Sequence, residues 1–250
     1  MAKTEKDKAV FGLIGRNISY SFSKTYFNNK FKALNLPDYS YENFDLPGLE
    51  EFHSLIKKNN TLRGLNVTIP YKEEIIPYFD SLDKKARRIG AVNTIKFTKD
   101  GLIGYNTDVY GFKKTIQPFL TESHKKALIL GTGGASKAIA FVLEELGISY
   151  QYVSRNPIGD QIGYSELNKE IIVTHTILIN CTPLGTFPNT EAKPDVPYEF
   201  LTSNHLLFDL IYNPEKTAFL LSGEQRGATI CNGAKMLELQ ADKAWKIWNS

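Results

Sequence analysis

The sequence is poor in sulfur and histidine. Two cysteines, Cys181 and Cys231, and four histidines are scattered over 250 residues. They show no metal-type spacing, so neither a zinc centre nor a disulfide framework is expected, and no metal is assigned. An excess of one charge is also missing: 30 basic residues against 27 acidic leave a net +3. That balance argues against a nucleic-acid partner or a membrane surface. No apolar run approaches the roughly 20 residues that span a bilayer. The opening M-A-K-T-E-K-D-K has no apolar core and reads as a frayed arm, not a secretory signal. Internal repeats and low-complexity linkers are absent. What is present, 42% hydrophobic and 23% charged residues, is the composition of a globular protein of one large or two modest domains. A cytoplasmic, reduced protein is the simplest expectation.

Hydrophobic periodicity divides the chain into alternating strands and helices. Residues 9–14, 39–44 and 62–68 read as strands, with helices expected over 25–35 and from Leu49 to Ile56. A hairpin follows, 92–97 and 102–105, around Lys99-Asp100-Gly101. A second unit opens near Val109 with a helix that Pro118 stops. Strands are then expected at 126–130, 150–154, 176–180, 206–210 and 228–231. The run 126–130 suits a parallel strand covered on both faces. Ile139, Val142, Leu143 and Leu146 mark a helix that Gly147 closes, and further helices are expected over 215–225 and 233–248. The fold class is α/β.

Chemistry concentrates where apolar runs end. L-N-V-T-I-P-Y-K at 65–72, G-A-V-N-T at 90–94 and G-Y-N-T-D at 104–108 place Asn66, Thr68, Lys72, Asn93, Thr94, Asn106, Thr107 and Asp108 beside β-prone stretches. Three asparagines at strand ends suit a polyol or carboxylate ligand. Lys72 and Asp108 form a candidate proton-handling pair if their strand ends meet, since a lysine acid needs a partner that holds and tunes it. Spacing alone favours two separate surface charges on different loops, and Asp108 also suits a helix cap. The S-Y-S-F-S loop at 19–23 offers hydroxyl donors, although serines in loops are often only turn residues.

In the second unit, G-T-G-G-A-S at 131–136 follows a strand and opens a helix, as a dinucleotide fingerprint must. Gly131 allows the tight turn, Gly133 the close approach of a pyrophosphate, and the free N–H groups of the helix start favour the anion. Ser136 takes the third fingerprint position, normally Gly or Ala; a ligand-free glycine turn is the alternative. At the end of the next strand, Ser154-Arg155 replaces the acid that reads a ribose 2′-hydroxyl. Arg155 suits a 2′-phosphate, hence NADP over NAD, unless it is simply an exposed strand-end arginine. Asp209, Tyr212, Asn213 and Pro214 lie at another strand end, where open α/β sheets bind ligands. Gln240 lies seven residues after Gly233, on one face of the last helix.

Together these motifs, with N-C-T-P-L-G at 180–185 and D-L-I-Y-N-P at 209–214, resemble the shikimate dehydrogenase family over nearly the whole chain. The resemblance implies two domains. A substrate-binding catalytic domain would comprise 1–108 and 232–250, and a Rossmann-like dinucleotide domain 109–231, with the last helix returning to the substrate side. It implies Lys72 as proton donor and acceptor, with Asp108 as its partner. Ser21, Ser23 and Tyr212 would bind the substrate carboxylate, and Thr68, Asn93, Asp108 and Gln240 its hydroxyls. Gly131, Thr132, Gly133, Gly134, Ala135, Ser136, Ser154, Arg155 and Asn156 would hold NADP phosphates and ribose. Leu210 and Gly233 would meet the nicotinamide end. The implied reaction is the reversible reduction of 3-dehydroshikimate to shikimate, a step toward chorismate and the aromatic amino acids, by a monomer or homodimer. Lys24 replaces the family's usual proline after the paired serines, and Thr186 stands where methionine is frequent. The segment N-P-I-G-D-Q after Arg155 adds no further basic residue. A relative acting on quinate with NAD, and a ligand-sensing protein without turnover, are the rival readings.

Overall fold

The computed structural model describes residues 8–19 and 21–250. The expected N-terminal arm and Tyr20 of the serine loop lie largely outside the described residues. The chain divides into two compact units, Met1–Thr107 with Ala241–Ser250, and Asp108–Gln240. Among the described residues no helix is long and apolar enough to cross a membrane, and no group of His, Cys, Asp or Glu could hold a metal ion.

The first unit contains β1 (Ala9–Gly15), α1 (Ser23–Ala33), β2 (Tyr39–Asp45), α2 (Phe52–Lys58), β3 (Leu62–Val67), β4 (Ser81–Leu82), α3 (Lys84–Ile89), β5 (Thr94–Thr98) and β6 (Gly101–Tyr105). Its six strands lie in the order β2-β1-β3-β5-β6-β4. β1 pairs in parallel with both β2 and β3, whereas β3–β5 and the β5–β6 hairpin are antiparallel. Side chains on β1 alternate, as a strand's period of two requires. Phe11 and Leu13 enter one cluster with Phe27, Phe31 and Tyr41; Val10 and Ile14 enter the other with Leu65 and Tyr71. Trp245 and Trp248, near the chain's end, pack against Phe11, the first edge-on and the second tilted. Trp248 also donates from Nε1 to the Ile95 carbonyl at 3.0 Å.

The second unit contains α4 (Asp108–Ile116), β7 (Lys126–Leu130), α5 (Gly134–Glu145), β8 (Ser149–Ser154), β9 (Ile162–Gly163), α6 (Lys169–Thr174), β10 (Ile177–Asn180), β11 (Leu206–Asp209), α7 (Ala218–Glu224) and β12 (Thr229–Cys231). The last helix, α8 (Ala234–Trp248), begins in this unit. All six strands are parallel, in the order β12-β11-β10-β7-β8-β9. This is the doubly wound Rossmann arrangement, with its switch point between β7 and β10. Every residue of β10 and β11 is buried, as strands covered on both faces should be.

Four short elements had not been expected. α3, K-K-A-R-R-I, buries only Ala86 and Ile89, so it carries little hydrophobic periodicity. Its ends hold it instead: the Asp83 carboxylate accepts from Lys85 N at 2.9 Å, and Gly90 closes it at φ 70°. α6 is capped likewise by Asn168, which accepts from Ile171 N at 3.0 Å. β4 and β9 are two residues each, too short to show a pattern. The helix expected from Leu49 is split into a 3-10 turn at Leu49–Glu51 and α2.

Two turns that feed the second sheet use histidine identically. Thr121 N donates to His124 Nδ1 at 2.9 Å before β7, and Thr202 N donates to His205 Nδ1 at 3.0 Å before β11. A ring nitrogen that accepts from an amide must be unprotonated. Burial moves the His124 pKa below its ordinary 6.5. As pH falls, the unfolded chain therefore binds the proton first, and stability drops below about pH 6.5 while staying flat above it. Thermal melts of the wild type and His124→Gln at about pH 7.5 and about pH 5 check this: the variant should lose less on acidification. Equal losses would remove His124 as a cause.

Candidate active site

Three polar motifs converge at one end of the first sheet. The backbone sets the meeting. Val67 N donates to the Asn93 carbonyl at 2.9 Å, Asn93 N to the Tyr105 carbonyl at 3.0 Å, and Val92 N to the Lys72 carbonyl at 2.7 Å. Lys72, Asn93 and Tyr105 are thereby neighbours along the backbone, although far apart in sequence. Thr68 is tied to β1 by its N–H, which donates to the Ile14 carbonyl at 2.8 Å.

Side chains then lock the convergence. Asn93 Oδ1 accepts the Thr107 backbone N–H at 2.7 Å, and the hydroxyls of Thr94 and Thr107 each lie 3.1 Å from it. Asn66 donates from Nδ2 to the Asn93 carbonyl and to Thr94 Oγ1, both at 3.1 Å. Its Oδ1 accepts the Tyr41 hydroxyl at 2.8 Å. Asn106 donates to the Ala91 carbonyl at 3.0 Å. Asn66, Asn93, Thr94, Asn106 and Thr107 are all buried. Burying this many polar atoms is tolerable only because they satisfy one another.

Tyr41 extends the network toward the serine loop. Its ring stacks on Phe27 at 4.5 Å and is fully buried. Burial pushes its phenol well up, and a hydrogen bond with the Ser23 hydroxyl partly opposes that. Ser21 and Ser23 are half-buried, and Ser23 N donates to Ser21 Oγ at 3.3 Å. The loop before them is pinned by Asp45, whose carboxylate accepts from Asn17 N at 2.9 Å and Ile18 N at 3.2 Å.

Of the other residues singled out in the sequence, Asp108 is buried as the first residue of α4. Gln240 is also buried, on α8, and donates to the Leu237 carbonyl at 3.0 Å. Tyr212 is half-buried after β11. By compact unit, Asp108, Tyr212 and Gln240 belong to the second, and Ser21, Ser23, Thr68, Lys72 and Asn93 to the first.

The second unit builds a glycine turn at its switch point. Gly131 follows β7 at φ 101°, a conformation side chains disfavour, and its N–H donates to the Val153 carbonyl at 2.9 Å. Gly133 is different: its φ is −74°, and a Cβ there would meet nothing within 4 Å. Neither backbone conformation nor packing calls for glycine at 133, so the opening above it suits a group from outside the chain. Thr132 and Gly133 are exposed, while Gly134 and Ala135 begin α5, whose first turn holds no acidic residue. Ser136 is fully buried and directs both its N–H, at 2.8 Å, and its hydroxyl, at 2.6 Å, to the Gly133 carbonyl. Its side chain braces the turn from behind. The turn therefore fits a dinucleotide pyrophosphate, with backbone N–H groups as its donors.

At the end of β8, Asn156 N donates to Ser154 Oγ at 3.2 Å, and Arg155 is exposed. Burial pushes the Tyr164 phenol up to about 12, and the nearby Arg155 guanidinium partly offsets this. After β11, Gly233 N donates to the Ile211 carbonyl at 3.0 Å, and a Cβ on Gly233 would collide with the Leu210 carbonyl.

Tyr41 was not among the expected site residues, and Asn66 was noted only as a hydrogen-bonding group. The available signal for Tyr41 was an aromatic flanked by polar residues within the strand Y-S-Y-E-N-F. A second buried network, Asn180, Asp209 and Thr217, lies under the loops that leave β10 and β11. The sequence signal for it was an Asn and an Asp each closing an apolar strand.

Comparison with known proteins identifies the family. A family model described as the shikimate dehydrogenase substrate binding domain matches residues 13–95. A shikimate dehydrogenase (NADP(+)) of Clostridium botulinum is 38% identical over 248 residues, 95% of each chain. The crystal structure of shikimate dehydrogenase 1 from Peptoclostridium difficile is 38% identical and superposes with a TM-score of 0.85, covering 96% of this chain and 91% of that one. The Thermus thermophilus enzyme, solved in complex with NADP(H) and shikimate, is 30% identical with a TM-score of 0.84 over 96% and 93% of the two chains. On identity, coverage and fold alike, the chain belongs to the shikimate dehydrogenase family.

Proposed function

We propose that the chain is an NADP-dependent oxidoreductase that reversibly converts 3-dehydroshikimate and shikimate, acting in the cytoplasm toward the aromatic amino acids. The observation that carries the reading is the convergence of Lys72, Asn93 and Thr107 at one end of the first sheet, in a chain whose relatives are named shikimate dehydrogenase (NADP(+)). The two cysteines are free thiols, which suits a reducing compartment.

The functional domains in this reading are 1–108 with 232–250 for substrate and 109–231 for NADP. When bound, NADPH supplies the hydride for the ketone carbon. The protein supplies the proton and the positions. The Lys72 ammonium donates to the ketone oxygen and takes the proton back in the reverse direction. Asp108 is its carboxylate partner and a hydroxyl ligand. Ser21, Ser23 and Tyr212 present hydroxyl donors to the substrate carboxylate. Thr68, Asn93 and Gln240 address ring hydroxyls. Each of these needs a fixed orientation, because a misaligned donor loses most of its value. The buried amides of Asn66 and Asn93 supply that rigidity in the first unit.

NADP is held by Gly131, Thr132, Gly133, Gly134 and Ala135 through the turn, by Ser154 and Asn156 at the ribose, and by Leu210 and Gly233 at the nicotinamide end. Ser136 contributes by shaping the turn. Arg155 selects the 2′-phosphate through its planar fork.

Three measurements test the assignment. Lys72→Ala should lower kcat for shikimate oxidation by roughly 100- to 10,000-fold while KM changes far less. Unchanged turnover would remove Lys72 from the chemistry. Arg155→Ala should raise the KM for NADPH by about tenfold and that for NADH much less, because only the former offers a 2′-phosphate. Equal effects on both cofactors would defeat the selection argument. Tyr41→Phe keeps the stacking on Phe27 but leaves Asn66 Oδ1 without its donor. It should cost about 1–3 kcal/mol of stability and raise the KM for shikimate several-fold, with the KM for NADPH held within about twofold. Steady-state kinetics and melting curves read both.

A further inference from the structure

β10 and β11 leave the second sheet side by side, and Asn180 and Asp209 are register partners on them. Both are fully buried. The Asp209 carboxylate accepts from three separate segments: from Asn180 Nδ2 at 3.0 Å, from Ile211 N at 3.0 Å and from Thr217 Oγ1 at 2.6 Å. Asn180 Oδ1 passes the restraint on, accepting from Thr182 N at 3.0 Å and Thr182 Oγ1 at 2.7 Å. Thr217 Oγ1 in turn accepts from Leu220 N at 3.3 Å, where α7 starts.

A carboxylate suits this demand, because both of its oxygens accept and neither carries a hydrogen: Oδ1 takes Asn180 Nδ2 and Ile211 N, and Oδ2 takes Thr217 Oγ1. The group carries a cost: burial pushes Asp209 up to about 6, and its three hydrogen bonds draw it back. The titratable groups that face it, the Cys181 thiol and the Tyr198 phenol, are both pushed up by burial and stay neutral. A buried carboxylate without a cation among its hydrogen-bond partners is expensive to keep, so its geometry must be worth having.

That geometry controls the backbone assigned above to the cofactor. Leu210 N donates to the Asn180 carbonyl at 3.1 Å, and the Leu210 carbonyl faces Gly233. Thr182 Cγ2 would lie 3.0 Å from a Cβ at Gly131, so the same tie abuts the glycine turn.

We propose that Asp209 is a positioning residue for the nicotinamide half of the cofactor, holding segments 181–185 and 210–217 in the one arrangement that accepts it. This rests on the NADP reading, and the test separates the two. Asp209→Ala removes the acceptor of all three donors. Thr217→Val removes one donor, and Thr217→Ser keeps it. In ligand-free protein, amide exchange at Thr182 and Ile211 should accelerate by roughly tenfold or more in Asp209→Ala and Thr217→Val, and stay near wild type in Thr217→Ser. In the kinetic assay the KM for NADPH should rise roughly tenfold in the first two, and the KM for shikimate by a smaller factor, because the held segment also carries Tyr212. If wild-type protein ignores NADPH but the exchange pattern holds, the function is wrong and the tie stands. Exchange unchanged in Thr217→Val, or an NADPH KM that rises no more than the shikimate KM, overturns the proposal. Thr217→Val decides the matter if Asp209→Ala does not fold.

Discussion

The polar end of the first sheet depends on one side-chain carbonyl, that of Asn93. It accepts the Thr107 backbone N–H at 2.7 Å and lies within bonding distance of two threonine hydroxyls. A buried carbonyl with several donors is a strong constraint, because losing it would orphan every donor at once. The tie fixes where the hairpin ends relative to β3, hence where the segments that carry Lys72 and Thr107 leave the sheet. Hydrophobic packing sets which face of each strand is buried; the directional amide bonds then fix the strand ends, where the apolar clusters stop.

The second unit solves the same problem with a charge. Asp209 collects three donors as Asn93 does, and it too sits at a strand's end beside a turn rich in glycine or threonine. The difference follows from topology. In the first unit an antiparallel hairpin brings the two motifs together through local pairing. In the second, β10 and β11 are parallel, and long connections separate them in sequence. Their ends diverge into loops with no ladder between them, so a single acceptor must span both loops.

Most of the fold was legible in the chain. β1, β3, β7 and the β5–β6 hairpin announce themselves by apolar runs bounded by glycine or proline. α5 does so by Ile139, Val142 and Leu143 at helical spacing, closed by Gly147 at φ 70°. The missed α3 and α6 are held by caps rather than by an apolar face, so periodicity is blind to them, although Asp83, Gly90 and Asn168 were visible signals. The polar clusters of the candidate site were legible as residue types at strand ends. Their division of labour was not. N-V-T shows the difficulty: Asn66 is buried and committed to Tyr41, Asn93 and Thr94, whereas Thr68, two residues on, is half-buried. No spacing rule distinguishes the two, because the partners of Asn66 lie 25 and more residues away.

Glycine offers a sharper way to separate the residues that shape a site from those that leave room in it. Gly131 is needed by its own backbone at φ 101°, and Gly233 by the Leu210 carbonyl pressed against it. Gly133 is needed by neither, since its φ is ordinary and a side chain there would touch nothing within 4 Å. A glycine that the fold does not require, at the start of a helix with no acid in its first turn, leaves the backbone N–H groups there open to an anion. Ser136 completes the argument from the other side. It stands where the fingerprint has Gly or Ala, yet it is fully buried and spends its hydroxyl on the Gly133 carbonyl. The departure costs the turn nothing, because the hydroxyl is satisfied internally and backbone amides, which every residue but proline supplies, remain as the turn's donors.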